Sequence, residues 1–120
     1  MIQHVTRQIA PSKLQACVEF YAMLGFVQVP VPPGIAGRTL WLERRQTQVH
    51  LMPVEGAGPA PGHVGILVDD YEVTVERLRD AGHAVDPRRE HWGSPRSYVH
   101  DPFGNLVELM ACAPGASGPA

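Results

Sequence analysis

A chain of 120 residues with 44% hydrophobic and 18% charged residues has the length and balance of one ordinary soluble globular domain with a real core. Ten basic residues stand against twelve acidic ones, with no basic cluster beyond Arg44-Arg45 and Arg88-Arg89, so the chain carries no electrostatic footprint for nucleic acid. No apolar run approaches membrane-spanning length, and Met1-Ile2-Gln3-His4 enters a strand without a signal-peptide pattern, so no membrane partner is expected and the cytoplasm is the expected compartment.

The first strand is expected over Ile2 to Ile9. Pro11-Ser12 breaks it, and Ser12 with Gln15 reads as a capping box for a helix. Leu14, Cys17, Val18, Tyr21 and Leu24 recur at helical spacing and form its buried face, and Gly25 is the stop. A second strand runs from Phe26 to Val31, ended by Pro30-Val31-Pro32-Pro33-Gly34. Thr39 to Glu43 and Thr47 to Met52 make a hairpin around Arg44-Arg45-Gln46.

Residues 53–62, rich in Gly and Pro, form a linker, after which the order repeats. His63 to Val68 is a strand, and Asp69 with Glu72 is a second capping box. Tyr71, Val75 and Leu78 are the buried helix face, and Gly82 is the stop. Ala84 to Asp86, Arg96 to His100 and Leu106 to Met110 are strands, the last two joined by the turn Asp101-Pro102-Phe103-Gly104-Asn105. The reading is therefore one α+β domain over residues 1–112, built from two βαβββ modules (1–52 and 63–112) related by a pseudo-twofold. The tail 113–120 has a composition that cannot bury apolar surface and is expected to be disordered. Cys17 and Cys112 show no paired spacing; buried free thiols are expected, with a disulfide as the alternative.

Four potential metal donors fall at equivalent points of this repeat. His4 and His63 open the first strand of each module, and His50 and Glu108 lie in the last, each pair separated by about 58 positions. Strand alternation puts Val64, Ile66 and Val68 under the helix and His63 on the other side. It likewise sets His50 opposite Val49 and Leu51, and Glu108 opposite Val107 and Leu109. If each module curls into half of a barrel-like sheet, all four point into one cavity, where they need a cation or a hydrogen-bond network.

The segments "HVTRQIAPSKLQACVEFYAMLGF", "QVHLM", "HVGILVDD" and "DPFGNLVELM" resemble the vicinal oxygen chelate superfamily of glyoxalases, extradiol dioxygenases, and fosfomycin and bleomycin resistance proteins. The resemblance runs from Gln3 to Met110 and implies paired βαβββ modules forming a curved, barrel-like sheet around a metal cavity. It implies His4, His63 and Glu108 as metal ligands, with His50 at the fourth inward position, as a further ligand or as an acid–base group. Two histidines and a carboxylate suit Fe(II), and also accept Mn, Ni, Co or Zn. In glyoxalase I the fourth position is normally glutamate, whereas here it is His50; extradiol dioxygenases supply a proton-shuttling histidine in this region. Their signature also resembles residues 91–108, with Tyr98 as the hydroxyl aimed at a bound diol, although Arg89 and Ser97 depart from it.

The resemblance thus implies a metal-dependent enzyme of glyoxalase or dioxygenase type. It would chelate a small substrate through two vicinal oxygens, with ring-cleaving, isomerase or lyase chemistry, in a homodimer. The contrasting class is a metal-free dimeric protein that sequesters an antibiotic or other ligand in the same cavity. Arg96 and Arg38 are candidates to steer an anionic substrate, Trp41 to line the cavity, and Trp92 to serve in a lid. His83, His91 and His100 are expected to face solvent.

Overall fold

A computed structural model describes residues 1–115; residues 116–120, most of the expected tail, lie outside the described residues. The chain divides into two compact units. One holds Met1–Pro61 together with Asp101–Asn105, and the other holds Gly62–His100 and the segment from Leu106 onward. The strands form two separate four-stranded sheets, one for each repeat, and not one closed barrel-like sheet.

In the first unit β1 (His4–Ile9) is followed by a 3-10 turn (Pro11–Lys13), α1 (Leu14–Met23), β2 (Val27–Val29), β3 (Leu40–Arg44) and β4 (Thr47–Pro53). The expected Ser12–Gln15 capping box does not form. Pro11, whose missing N–H suits a first turn, starts a 3-10 turn, and α1 begins after Lys13 with no side-chain cap. Cys17, Phe20, Tyr21 and Leu24 are buried, so the inner face includes Phe20 and leaves Leu14 and Val18 half-buried. Gly25 leaves the helix with φ of 97°, a conformation that only glycine adopts freely. The sheet order is β1-β4-β3-β2, with β1 parallel to β4 and the other pairs antiparallel. Ile9, Leu42, Val49 and Leu51 join the helix residues in the core.

The second unit repeats the order with β5 (His63–Leu67), α2 (Tyr71–Asp80), β6 (Asp86–Pro87), β7 (Arg96–His100) and β8 (Leu106–Met110), in sheet order β5-β8-β7-β6. The cap of α2 is Asp70 and not Asp69: the Asp70 carboxylate accepts from the Val73 N–H, while the Asp69 carbonyl accepts from the Thr74 hydroxyl at 3.0 Å. Thr74, Val75 and Leu78 are buried, with Tyr71 half-buried and its hydroxyl bonded to that of Ser97. Gly82 repeats the exit of Gly25, with φ of 92°. The strand expected over Ala84 to Asp86 is only the short pair Asp86–Pro87.

The turn Asp101–Asn105 packs as part of the first unit although β7 and β8 flank it in sequence. Asp101 Oδ1 accepts from the backbone N–H groups of Phe103, Gly104 and Asn105 at 2.9–3.0 Å, and Oδ2 accepts from the Tyr21 hydroxyl at 2.8 Å. Asn105 is buried; its Oδ1 accepts from the Ala60 N–H, and its Nδ2 donates to the Gln8 carbonyl. The aspartate that the resemblance places in a catalytic signature is thus a structural anchor. Burial and the Asp101 charge together hold the Tyr21 phenol well above its usual pKa. Burial chiefly, with Asp101 adding to it, pushes the Cys17 thiol up to about 12. Both cysteines are free thiols; Cys17 is buried and Cys112 only partly so.

Removing a buried carboxylate that accepts four hydrogen bonds strands its donors. Asp101→Ala is expected to lower unfolding stability by about 3 kcal/mol in urea titration. Tyr21→Phe, which removes one of those donors, should cost about 1 kcal/mol.

Candidate functional site

The donors sit on strand pairs of matching register. In the first unit β1 runs parallel to β4 with His4 opposite Gln48 and Thr6 opposite His50. In the second, β5 runs parallel to β8 with His63 opposite Leu106 and Gly65 opposite Glu108. Each first-strand histidine is therefore diagonal to a donor two residues past its direct partner. The neighbouring strand continues the match: Trp41 lies opposite His50, and Tyr98 lies opposite Glu108. Trp41 thus holds in the first module the place of Tyr98 in the second, a correspondence that the interval between them in the sequence also carries.

In the first unit three rings form a column. His4 stacks on His50 with centroids 4.1 Å apart and planes 12° from parallel, and His50 stacks on Trp41 at 4.4 Å and 7°. His4 is exposed, and its Nδ1 lies 2.7 Å from Gln3 Oε1. His50 is buried, with Nε2 at 2.7 Å from Gln48 Oε1, and Gln48 Nε2 donates to Glu43 Oε1 at 2.8 Å. Burial first, and the neighbouring His4 second, lower the pKa of His50 below its usual 6.5. The Trp41 indole N–H is buried with no acceptor among the described residues, an open donor on this face.

In the second unit the corresponding residues form an ion-pair network. His63 Nε2 lies 3.1 Å from Glu108 Oε1, and Arg96 Nε donates to Glu108 Oε2 at 2.7 Å. Arg96 also donates to the Arg89 carbonyl at 2.8 Å and to the Tyr98 hydroxyl at 3.3 Å, and the bond to Glu108 is the main reason its pKa rises further. Its guanidinium is committed, which removes it as a steering group for substrate. Because Tyr98 accepts from Arg96, its own hydroxyl proton remains free to donate, and its ring lies tilted against His63 at 5.5 Å. A Cβ on Gly65 would come within 3.2 Å of Met110 Sδ, so a larger residue there would press on that side chain.

These groups suit a divalent cation as donors. The 3.1 Å between His63 Nε2 and Glu108 Oε1 is the span of two adjacent ligands, since bonds of about 2.1 Å at right angles end about 3 Å apart. Each unit supplies two donors, and among the described residues no three His, Cys, Asp or Glu side chains gather closely enough to hold a metal. Other candidates lie elsewhere. Arg38 ends an exposed turn after β2, His91 and His100 are exposed, and His83 is half-buried. The Trp92 indole donates to the Cys112 carbonyl at 2.9 Å, which pins it and argues against a lid. No helix among the described residues is long and apolar enough to cross a membrane.

Residues 1–109 match the model of the Glyoxalase/Bleomycin resistance protein/Dioxygenase superfamily. The chain belongs to that superfamily. Solved members share its fold at low identity. A protein from Bacillus anthracis assigned to the glyoxalase family superposes with a TM-score of 0.81 at 24% identity, over 92% of this chain and 93% of that one. The oxidase ChaP-H2 gives 0.77 at 22% identity over 98% of both chains. TnmS3, an antibiotic binding protein from Streptomyces sp. CB03234, gives 0.72 at 23% identity over 92% and 93%. No curated protein matches the chain in sequence. The superfamily thus spans enzymes and binding proteins, and the site chemistry has to separate them.

The lowered pKa of His50 has a sign. Between the folded value and the unfolded value near 6.5 the unfolded chain holds the proton and the native protein does not, so stability rises with pH there. Stability is expected to fall as pH drops below about 6.5, and His50→Gln should flatten that part of the curve, as measured by urea unfolding between about pH 7 and pH 5.

Proposed function

We propose that this chain is a metal-dependent enzyme of the superfamily, of glyoxalase or dioxygenase type, acting on a small compound with two vicinal oxygens. The observation that carries the reading is the repeated register: a histidine diagonal to His50 in one parallel strand pair, and a histidine diagonal to Glu108 in the other. We take His4, His63 and Glu108 as the ligand set, with Fe(II) as the first choice and Mn, Ni, Co or Zn as alternatives. A homodimer is the proposed assembly, since each sheet has edge strands to cover.

If bound there, a divalent cation would supply Lewis acidity to two adjacent substrate oxygens. The chain's own groups manage the protons. His50, neutral at ordinary pH because burial and His4 disfavour its charged form, is the base. Tyr98, its hydroxyl proton unclaimed, donates to a substrate oxygen. With oxygen as co-substrate this set serves ring cleavage; without it, proton transfer between adjacent carbons gives isomerase or lyase activity.

A second reading has one observation in its favour. Glu108 is already neutralised by Arg96 and bonded to His63, so this carboxylate is satisfied without a cation, as a metal-free ligand-sequestering protein requires. Metal analysis separates the two. Protein purified anaerobically without chelator or affinity nickel should carry near-stoichiometric metal by mass spectrometry, lost in His63→Ala. Iron would direct assays to oxygen uptake with catechols, and zinc, nickel or manganese to isomerase and lyase substrates. Absence of metal after reconstitution would overturn the enzyme reading in favour of ligand sequestration.

A further inference from the structure

We infer that Glu43 and Gln48 are positioning residues that lock His50 as its Nε2-protonated tautomer and leave Nδ1 as its lone-pair nitrogen. Glu43 and Gln48 face each other across β3 and β4, one row along the strands from the Trp41–His50 pair. A carboxylate only accepts hydrogen bonds, so the group that Gln48 turns toward Glu43 Oε1, at 2.8 Å, is its amide NH2. The carbonyl oxygen of the same amide then faces His50 Nε2 at 2.7 Å, and an acceptor there requires a proton on the nitrogen. The stack between His4 and Trp41 holds the ring in its plane, and Gln48 decides which nitrogen is protonated.

The consequence is a division of labour among the histidines. His4 stacks on His50, but only the buried ring has its protonated nitrogen fixed by an amide whose own direction is set, so His50 alone is locked. Nε2 of His50 is closed to a cation, and Nδ1 is the atom that accepts a proton or a hydrogen bond from a substrate hydroxyl. That use of Nδ1 rests on the reading of the site above, whereas the tautomer does not.

The test is the long-range 1H–15N correlation spectrum of the full, 15N-labelled, metal-free chain, with the His50 signals assigned by their loss in His50→Gln. The wild type should show His50 Nε2 protonated and Nδ1 bare. In Gln48→Lys the new ammonium pairs with Glu43 and donates to His50 Nε2, so the proton should move to Nδ1 and the coupling pattern should reverse. The exchange E43Q/Q48E keeps the direction of donation, with the amide at 43 donating to the carboxylate at 48, and should restore the wild-type pattern; it carries the test if Gln48→Lys fails to fold. A wild type protonated on Nδ1, or a pattern unmoved by Gln48→Lys, would overturn the relay. Wild-type tautomers as expected in a protein that takes up no metal would leave the relay standing and sink the metal reading.

Discussion

Everything in the site follows from the parallel pairing of the first and last long strands of each module. A parallel ladder needs a crossover, and here the crossover carries the helix, so one face of the sheet is covered and the other is left for polar groups. Because side chains alternate, the register that buries Val49, Leu51, Val107 and Leu109 also fixes His50 and Glu108 on the opposite face. A one-residue slip in either ladder would send a histidine or the glutamate into the helix-facing core. The register is therefore held by the apolar core, and the chemistry is carried along with it.

The two modules use the shared frame for different chemistry. In the first, three near-parallel rings stack and burial disfavours the charged form of His50. In the second, a buried carboxylate is held between a guanidinium and an imidazole, with a tyrosine at hand. Burying Glu108 alone would be costly, and Arg96 removes most of that cost while leaving one carboxylate oxygen turned toward His63. His50 and Glu108 occupy one place in the repeat, yet one sits in a ring stack and the other in an ion-pair network.

The strand and helix order was legible because apolar alternation and helical spacing survive in both modules, and Gly25 and Gly82 marked both helix exits. The same alternation identified which face His50, His63 and Glu108 occupy. What could not be read were features decided by tertiary contact. The Ser12 capping box lost to a proline-led 3-10 turn, and Asp70 rather than Asp69 caps the second helix. The capture of Arg96 by Glu108 and the docking of the Asp101 turn in the first unit depend on partners distant in sequence. Gln48 and Glu43 read as ordinary strand polar residues until the β3–β4 register set them beside each other and beside His50.

The proposal that stands to be tested is the ligand set His4, His63 and Glu108. X-ray absorption spectroscopy on the metal-loaded protein, beside His4→Ala and His63→Ala, tests it most directly. The account predicts two imidazoles and an oxygen donor in the wild type, with one imidazole lost in each variant. A spectrum with no imidazole scattering, or one that either substitution leaves unchanged, would contradict it.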